Sequence, residues 1–151
     1  MRVTQAGEYA LLGVLYLARQ PVGQLTMIDQ ISEAEKIPKS FLAKIFQSLT
    51  HAGLVKSRQG AKGGFALSRK AEDISVLNVL EAIEGKLALQ RCLEEVPDCE
   101  RRDNCTLCAV FGEVQNKVNE VFSRTSVRDL MKPKDAVVRQ VQQIAQVKSV
   151  N

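Results

Sequence analysis

The chain has 151 residues, a net charge of +4 and an apolar fraction of 45%, which is about one globular domain with an ordinary core. Aromatic residues make up 5% and tryptophan is absent, so Leu, Val, Ile and Ala must fill that core. The opening run MRVTQAGEYALLGVLYLARQ is too short and too charged to span a bilayer and lacks a small-residue cleavage site after a basic start. A cytoplasmic protein with no membrane partner is expected. Thiols stay reduced in that compartment, so clustered cysteines read as metal ligands or redox groups rather than a disulfide.

The charge is unevenly placed. Residues 1–70 carry +6, residues 71–108 carry −5 and residues 109–151 carry +3. A basic first half beside an acidic middle suggests that the first segment meets a polyanion.

In residues 8–19, Leu11, Leu12, Leu15 and Ala18 recur at helical spacing, predicting a buried first helix that ends before Pro21 and Gly23. A second helix is expected from Thr26 as N-cap, with Asp29 three residues on, Ile28 and Ile31 facing inward, and an end near Lys36. Pro38 suits the first turn of a third helix, PKSFLAKIFQSLTHAG, which Gly53 closes. Phe41, Leu42, Ile45, Phe46 and Leu49 form its apolar side. Lys39, Ser40, Ala43, Lys44 and Gln47 form a side that is nowhere acidic.

After Gly53, the runs LVKSR and FALSR flank the turn QGAKGG and predict a β-hairpin. Three helices followed by a basic hairpin is the winged helix-turn-helix order, in which the third helix enters the major groove of DNA. Lys39, Ser40, Lys44 and Gln47 are the candidate base and phosphate contacts, with Arg58 and Lys62 on the flanking backbone. Gly63 and Gly64, with Gly60, are read as leaving room for close approach to phosphate. His51, the only histidine, ends the reading helix and is taken as a surface or cap residue.

A further helix spans 75–84, with Ser75 as cap and Gly85 just beyond. All four cysteines follow in one stretch, RCLEEVPDCERRDNCTLCAVF: Cys92, Cys99, Cys105 and Cys108. From Thr106 onward Leu107, Val110, Phe111, Val114, Val118, Val121 and Phe122 recur at steps of three and four. A one-sided stripe of that length calls for a partner, and a helix crossing its own copy in a twofold dimer is expected. TSVRDLM reads as a short capped helix, with Thr125 or Ser126 as cap. Beyond Pro133 the chain is polar.

The cysteines admit three readings. A catalytic dithiol could use Cys105–Cys108, but the βαβ surroundings of thioredoxin-like enzymes are missing. Structural zinc favours two short knuckles, and only one CxxC is present. Iron–sulfur clusters accept four thiolates at more varied spacings, and Cys105 and Cys108 would lie at a helix N-terminus that favours an anionic group.

In MRVTQAGEYAL, IPKSFLAKIFQSLTHAGLV, SRQGAKGGFALS, DISVLNVLEAIEG and the cysteine loop, the chain resembles the IscR/NsrR/RirA family of bacterial transcription regulators, over about residues 1–131. That resemblance implies a mostly α fold with a small β-hairpin wing, no enzymatic activity and no small-molecule substrate. It also implies a homodimer on a palindromic double-stranded DNA operator and an iron–sulfur cluster whose state alters DNA affinity. The expected organisation is a winged helix-turn-helix domain over residues 1–85, a cluster-binding loop over 86–108, a dimerisation helix with a short following helix over 104–131, and a polar tail over 132–151.

Two departures from the family bear on the cluster. The gap between Cys92 and Cys99 is one residue longer than in the family's sensors. Those sensors also use three cysteines and a variable fourth ligand. The IscR-like position falls on Cys108 and the NsrR-like position, donated by the other subunit, on Glu8. Cys108 is the softer donor and nearer in sequence, and is preferred. A 2Fe-2S cluster is favoured, with 4Fe-4S as the alternative.

Overall fold

The computed structural model describes residues 3–97 and 99–146. Among these residues there are six α-helices and one two-stranded antiparallel hairpin, and the first five helices and the hairpin follow one another in the expected order. Helix α1 (Gln5–Ala18) starts ahead of its apolar run because Thr4 caps it, the Gly7 N–H donating to Thr4 Oγ1 at 3.2 Å. Glu84, eighty residues away, completes this cap by accepting from the Thr4 N–H at 3.0 Å and the Thr4 hydroxyl at 3.1 Å.

Helix α2 (Ile28–Glu35) is capped at Met27, not at Thr26. Gln30 reaches back to accept from the Met27 N–H at 2.9 Å. The Thr26 main chain is instead committed to the wing, donating to the Phe65 carbonyl at 2.9 Å and accepting from the Phe65 N–H at 2.8 Å. Its hydroxyl is buried without a hydrogen-bond partner among the described residues. Tertiary pairing has overridden the local capping preference.

The turn into α3 (Lys39–His51) is tight. Lys36 takes a left-handed conformation at φ 55°, Ile37 is buried, and Ser32 Oγ donates to the Ile37 carbonyl at 2.6 Å. Pro38 is the N-cap itself, one step before the expected position. Leu42, Ile45, Phe46 and Leu49 are buried as expected, but Phe41 is 53% exposed and lies edge-on to Tyr9. It sits at the margin of the apolar stripe, where one step of about 100° carries a side chain off the core face.

The wing pairs β1 (Val55–Arg58) with β2 (Gly64–Leu67), in register from Val55↔Leu67 to Arg58↔Gly64. Phe65 packs edge-to-face on Phe46, with ring centroids 4.8 Å apart. Phe46 has no exposed surface, and a Cβ on Gly13 of α1 would meet its ring at 2.8 Å. Wing, reading helix and first helix therefore share one aromatic contact.

Helix α4 (Val76–Glu84) opens on a reciprocal cap, in which Asn78 N–H donates to Ser75 Oγ and Ser75 N–H donates to Asn78 Oδ1, both at 3.1 Å. It ends at Gly85, φ 74°. Helix α5 (Thr106–Arg124) packs on α4 and on the final helix, α6 (Lys134–Gln146). Between α5 and α6, TSVRDLM makes one 3-10 turn, Asp129–Met131. Its N-cap is Arg128, not Thr125 or Ser126, and Ser126 and Asp129 bond reciprocally just ahead of it, the Ser126 N–H donating to Asp129 Oδ2 at 2.9 Å and the Asp129 N–H to Ser126 Oγ at 3.1 Å. Residues 134–146, read from the sequence only as part of a polar tail, form α6 because Val137, Val141 and Ile144 align on one side, with Ile144 buried. Three apolar residues among many polar ones are a faint signal until a neighbour covers them.

Two outcomes follow from this packing. Gly64 holds φ 145°, and a Cβ there would meet the Thr26 carbonyl oxygen at 2.6 Å, so Gly64→Ala should lower stability by at least ~1–3 kcal/mol, read as a fall in the urea midpoint. For Asp129, burial raises its carboxyl pKa, but hydrogen bonds from Lys132, Ser126 and Gln140 outweigh it and hold the group far below the usual carboxylate range. A depressed carboxyl stabilises the fold above its unfolded pKa of about 4 and loses that contribution as pH falls through the folded value. Asp129→Asn should therefore be less stable than the parent at pH 7, and the difference should shrink progressively as the pH is lowered below about 4, measured by chemical unfolding.

Candidate nucleic-acid interface and cysteine site

The outer side of α3 carries Ser40, Ala43, Lys44 and Gln47, all exposed. Lys39 stands at its first turn, paired with Asp29 of α2 at 2.6 Å. Both partners are more than half exposed, so the pair is worth little and can exchange Asp29 for a phosphate. Arg58 and Lys62 are exposed on the wing. The structure thus mounts both sets of candidate contacts on elements joined through Phe46 and Phe65.

The wing glycines serve a different end from the one their sequence suggested. Gly63 is buried, and a Cβ there would meet the main chain of Gln59 and Gly60. Gly64 lies against the main chain of Thr26. Their missing side chains let the hairpin close on itself and on the α1–α2 connection. Gly60, φ 106°, is the one of the three with open space around it. His51 is exposed in the last turn of α3.

In the acidic segment, Cys92 is buried in a 3-10 turn, Arg91–Leu93, that packs on α5. Cys105 is the N-cap of α5 and offers no side-chain bond to the first-turn N–H groups. Cys108 lies within that first turn. Its thiol is pushed up by a hydrogen bond with Cys92, then by burial and by the charges of Cys92 and Cys105, with Arg102 acting in the opposite sense. Cys92 and Cys105 each lie near the Cys108 thiol. Cys99 is half-buried, and its carbonyl accepts from the Arg102 N–H at 3.3 Å.

The donor chemistry of this set, thiols gathered in sequence at the positive end of a 19-residue helix, fits a soft, anionic metal group. Among the described residues, no three ligands are already closed around one metal position. Glu8 is exposed in the first turn of α1, a helix that packs on α2, α3, α4 and β2.

Along α5, Leu107, Val110 and Val114 are 65%, 61% and 47% exposed. Val114, Val118, Val121 and Phe122 line an open apolar depression, while Phe111 is half-buried. Sequence periodicity found this stripe. It did not find Gln115, which is buried one turn after Phe111 and accepts from the Leu89 N–H at 2.9 Å. That bond ties the start of the cysteine segment to α5, and a lone glutamine in an apolar stripe is its only sequence sign.

A helix-turn-helix with a basic hairpin wing, followed by a long helix, defines a winged-helix DNA-binding regulator. Over residues 3–133 the chain matches the Rrf2 model, described as an iron-dependent transcriptional regulator, and it belongs to that family. It is 34% identical over 139 residues to protein aau3 of Rhizobium meliloti, covering 91% of this chain and 89% of the relative. Among solved structures it resembles T. potens IscR, with a TM-score of 0.67, 26% identity and coverage of 93% of this chain and 91% of that one. It also resembles CymR, the global cysteine regulator of B. subtilis, with a TM-score of 0.69, 25% identity and coverage of 86% and 95%. The protein is thus a transcriptional regulator, a non-enzymatic role. No helix among the described residues is long and apolar enough to cross a membrane.

Burial separates the cysteines in the reduced, metal-free protein. Cys92, 7% exposed, should be alkylated by iodoacetamide severalfold more slowly than Cys99, a difference readable by peptide mass spectrometry.

Proposed function

We propose that this protein is a cytoplasmic, homodimeric regulator that binds a palindromic operator and senses redox state, nitric oxide or iron status through an iron–sulfur cluster. The observation that carries this reading is the placement of Cys105 and Cys108 at the first turn of α5, with Cys92 in a turn packed on that helix. Cys92, Cys99, Cys105 and Cys108 would hold the cluster, a 2Fe-2S group in preference to 4Fe-4S. Glu8 of the other subunit is the alternative fourth ligand. When bound, such a cluster supplies a centre that oxidants, nitric oxide or iron loss can alter.

The chain's own residues link that centre to DNA. Cys105 and Cys108 belong to α5, and Cys92 belongs to a turn packed on it. The far end of α5 is tied to the start of α4, the Val76 N–H donating to the Thr125 carbonyl at 2.9 Å and the Val127 N–H to the Ile74 carbonyl at 2.8 Å. Holding or releasing the sulfurs would thus bear on the contact between α5 and the reading head. The exposed stripe of α5 supports pairing with a second copy, which would set two α3 helices about 34 Å apart for successive major grooves. Lys39, Ser40, Lys44 and Gln47 would meet bases and phosphates. Arg58 and Lys62 would meet the flanking backbone.

A cluster-free regulator using zinc or thiols is the second reading. It is supported by the likeness to CymR. Anaerobic isolation with iron and sulfide analysis separates the two. The expected result is brown protein whose visible absorption bleaches in air or with nitric oxide, is lost in Cys108→Ala and survives in Glu8→Ala. Colourless protein with stoichiometric zinc, or duplex affinity that ignores the cluster, would overturn the proposal. Lys44→Ala and Lys62→Ala should each weaken duplex binding and reduce its salt dependence by about one counterion.

A further inference from the structure

A second concave feature lies away from both the cysteines and the reading helix. It is a cavity of about 940 Å³ at the base of the wing, enclosed by the α1–α2 connection, both wing strands, the segment after β2 and the turn after α5. Ligand sites commonly have volumes of roughly 300–1,000 Å³, mainly apolar walls and a few placed polar groups. Leu17, Ala66, Leu67 and Ala71 contribute apolar wall here. Val22, fully exposed, and Met131, 42% exposed, stand at the same cavity.

The charge around this cavity is one-sided. Lys56, Arg69, Lys70, Arg128 and Lys132 line it, against a single lining carboxylate, Glu72. Arg128 takes Glu72 at 3.2 Å, and Lys70 lies near the same carboxylate. Lys132 is paired with Asp129 at 2.6 Å. Lys56 and Arg69 have no ion-pair partner among the described residues. DNA is a poor match for this surface. Lys56 pairs with Ala66, about 10 Å back along the strand from the wing tip, and a phosphate backbone has no use for an apolar floor.

We propose that this cavity binds a small amphipathic anion, a carboxylate or phosphate on an apolar body, with Lys56 and Arg69 holding the charged head. The inference is independent of the cluster. Its walls belong both to the wing and to the turn that follows α5, where the Arg128 N–H donates to the Ala71 carbonyl at 3.2 Å. An occupant therefore touches the DNA-reading part and the end of the long helix at once, and any change it makes in operator affinity must be returned as an equal change in its own.

Calorimetric titration of the full reduced chain tests this with three probes: octanoate below its micellar concentration, octanol and inorganic phosphate. Saturable binding of one octanoate per chain is expected, at least tenfold tighter than octanol or phosphate. Lys56→Glu and Arg69→Glu, both surface changes, should each weaken octanoate at least fivefold at an unchanged melting temperature. Absence of saturable octanoate binding in the parent protein would overturn the proposal, as would phosphate binding equally well or both variants binding like the parent. Competition between octanoate and duplex DNA that grows without limit, instead of levelling off as reciprocal coupling requires, would make the surface a backbone contact and also defeat it.

Discussion

The contact on which the reading head depends is the one made by Phe46. Its ring stands edge-to-face on Phe65 and lies against the bare Cα of Gly13. One side chain thus sets the distance between α3 and α1 and the tilt of the wing beside α3. A winged-helix protein reads DNA with two elements at once, so their mutual geometry must be stiff, and close-packed interiors supply that stiffness. The second tie is main-chain: Thr26 pairs with Phe65 and leaves its own hydroxyl without a partner among the described residues. The fold gives up a good helix cap and a satisfied hydroxyl to hold the wing in place.

A different logic governs the other half. The cysteine segment is held to α5 by few interactions, chiefly the Gln115–Leu89 bond and the packing of the Arg91–Leu93 turn. Few buried apolar contacts mean a low local opening free energy, which suits a segment whose proposed task is to respond to what its sulfurs hold. Glu84, at the end of α4 just before this segment, also caps α1 through Thr4. The entry to the cysteine region and the start of the first helix are therefore mechanically joined.

The legible parts of the chain were those where a local signal and the tertiary demand agree. Ser75 as the cap of its helix, Gly53 and Gly85 after theirs, and the hairpin around QGAKGG all obey short-range rules that packing did not contest. The inner face of α3 was legible for the same reason, except at Phe41, where the stripe's margin meets solvent. The parts that were not legible involve long sequence separation or thin periodicity. No pattern announces that Thr26 will pair with Phe65 or Thr4 with Glu84, and α6 has only three aligned apolar residues to mark it. The wing glycines were visible, but their reason was not: Gly63 and Gly64 are bare because main chain from elsewhere fills the space.

The sequence by itself determined the order of elements as far as α5, the basic reading side of α3, the apolar stripe of α5 and the clustering of every cysteine, because periodicity, capping and charge act over a few residues. Only the tertiary structure decided which sulfurs approach one another, which glycines serve packing, and that a cation-rimmed cavity opens at the base of the wing. Those features arise where segments distant along the chain meet, and pairwise contact across such distances leaves no periodic trace in a single sequence.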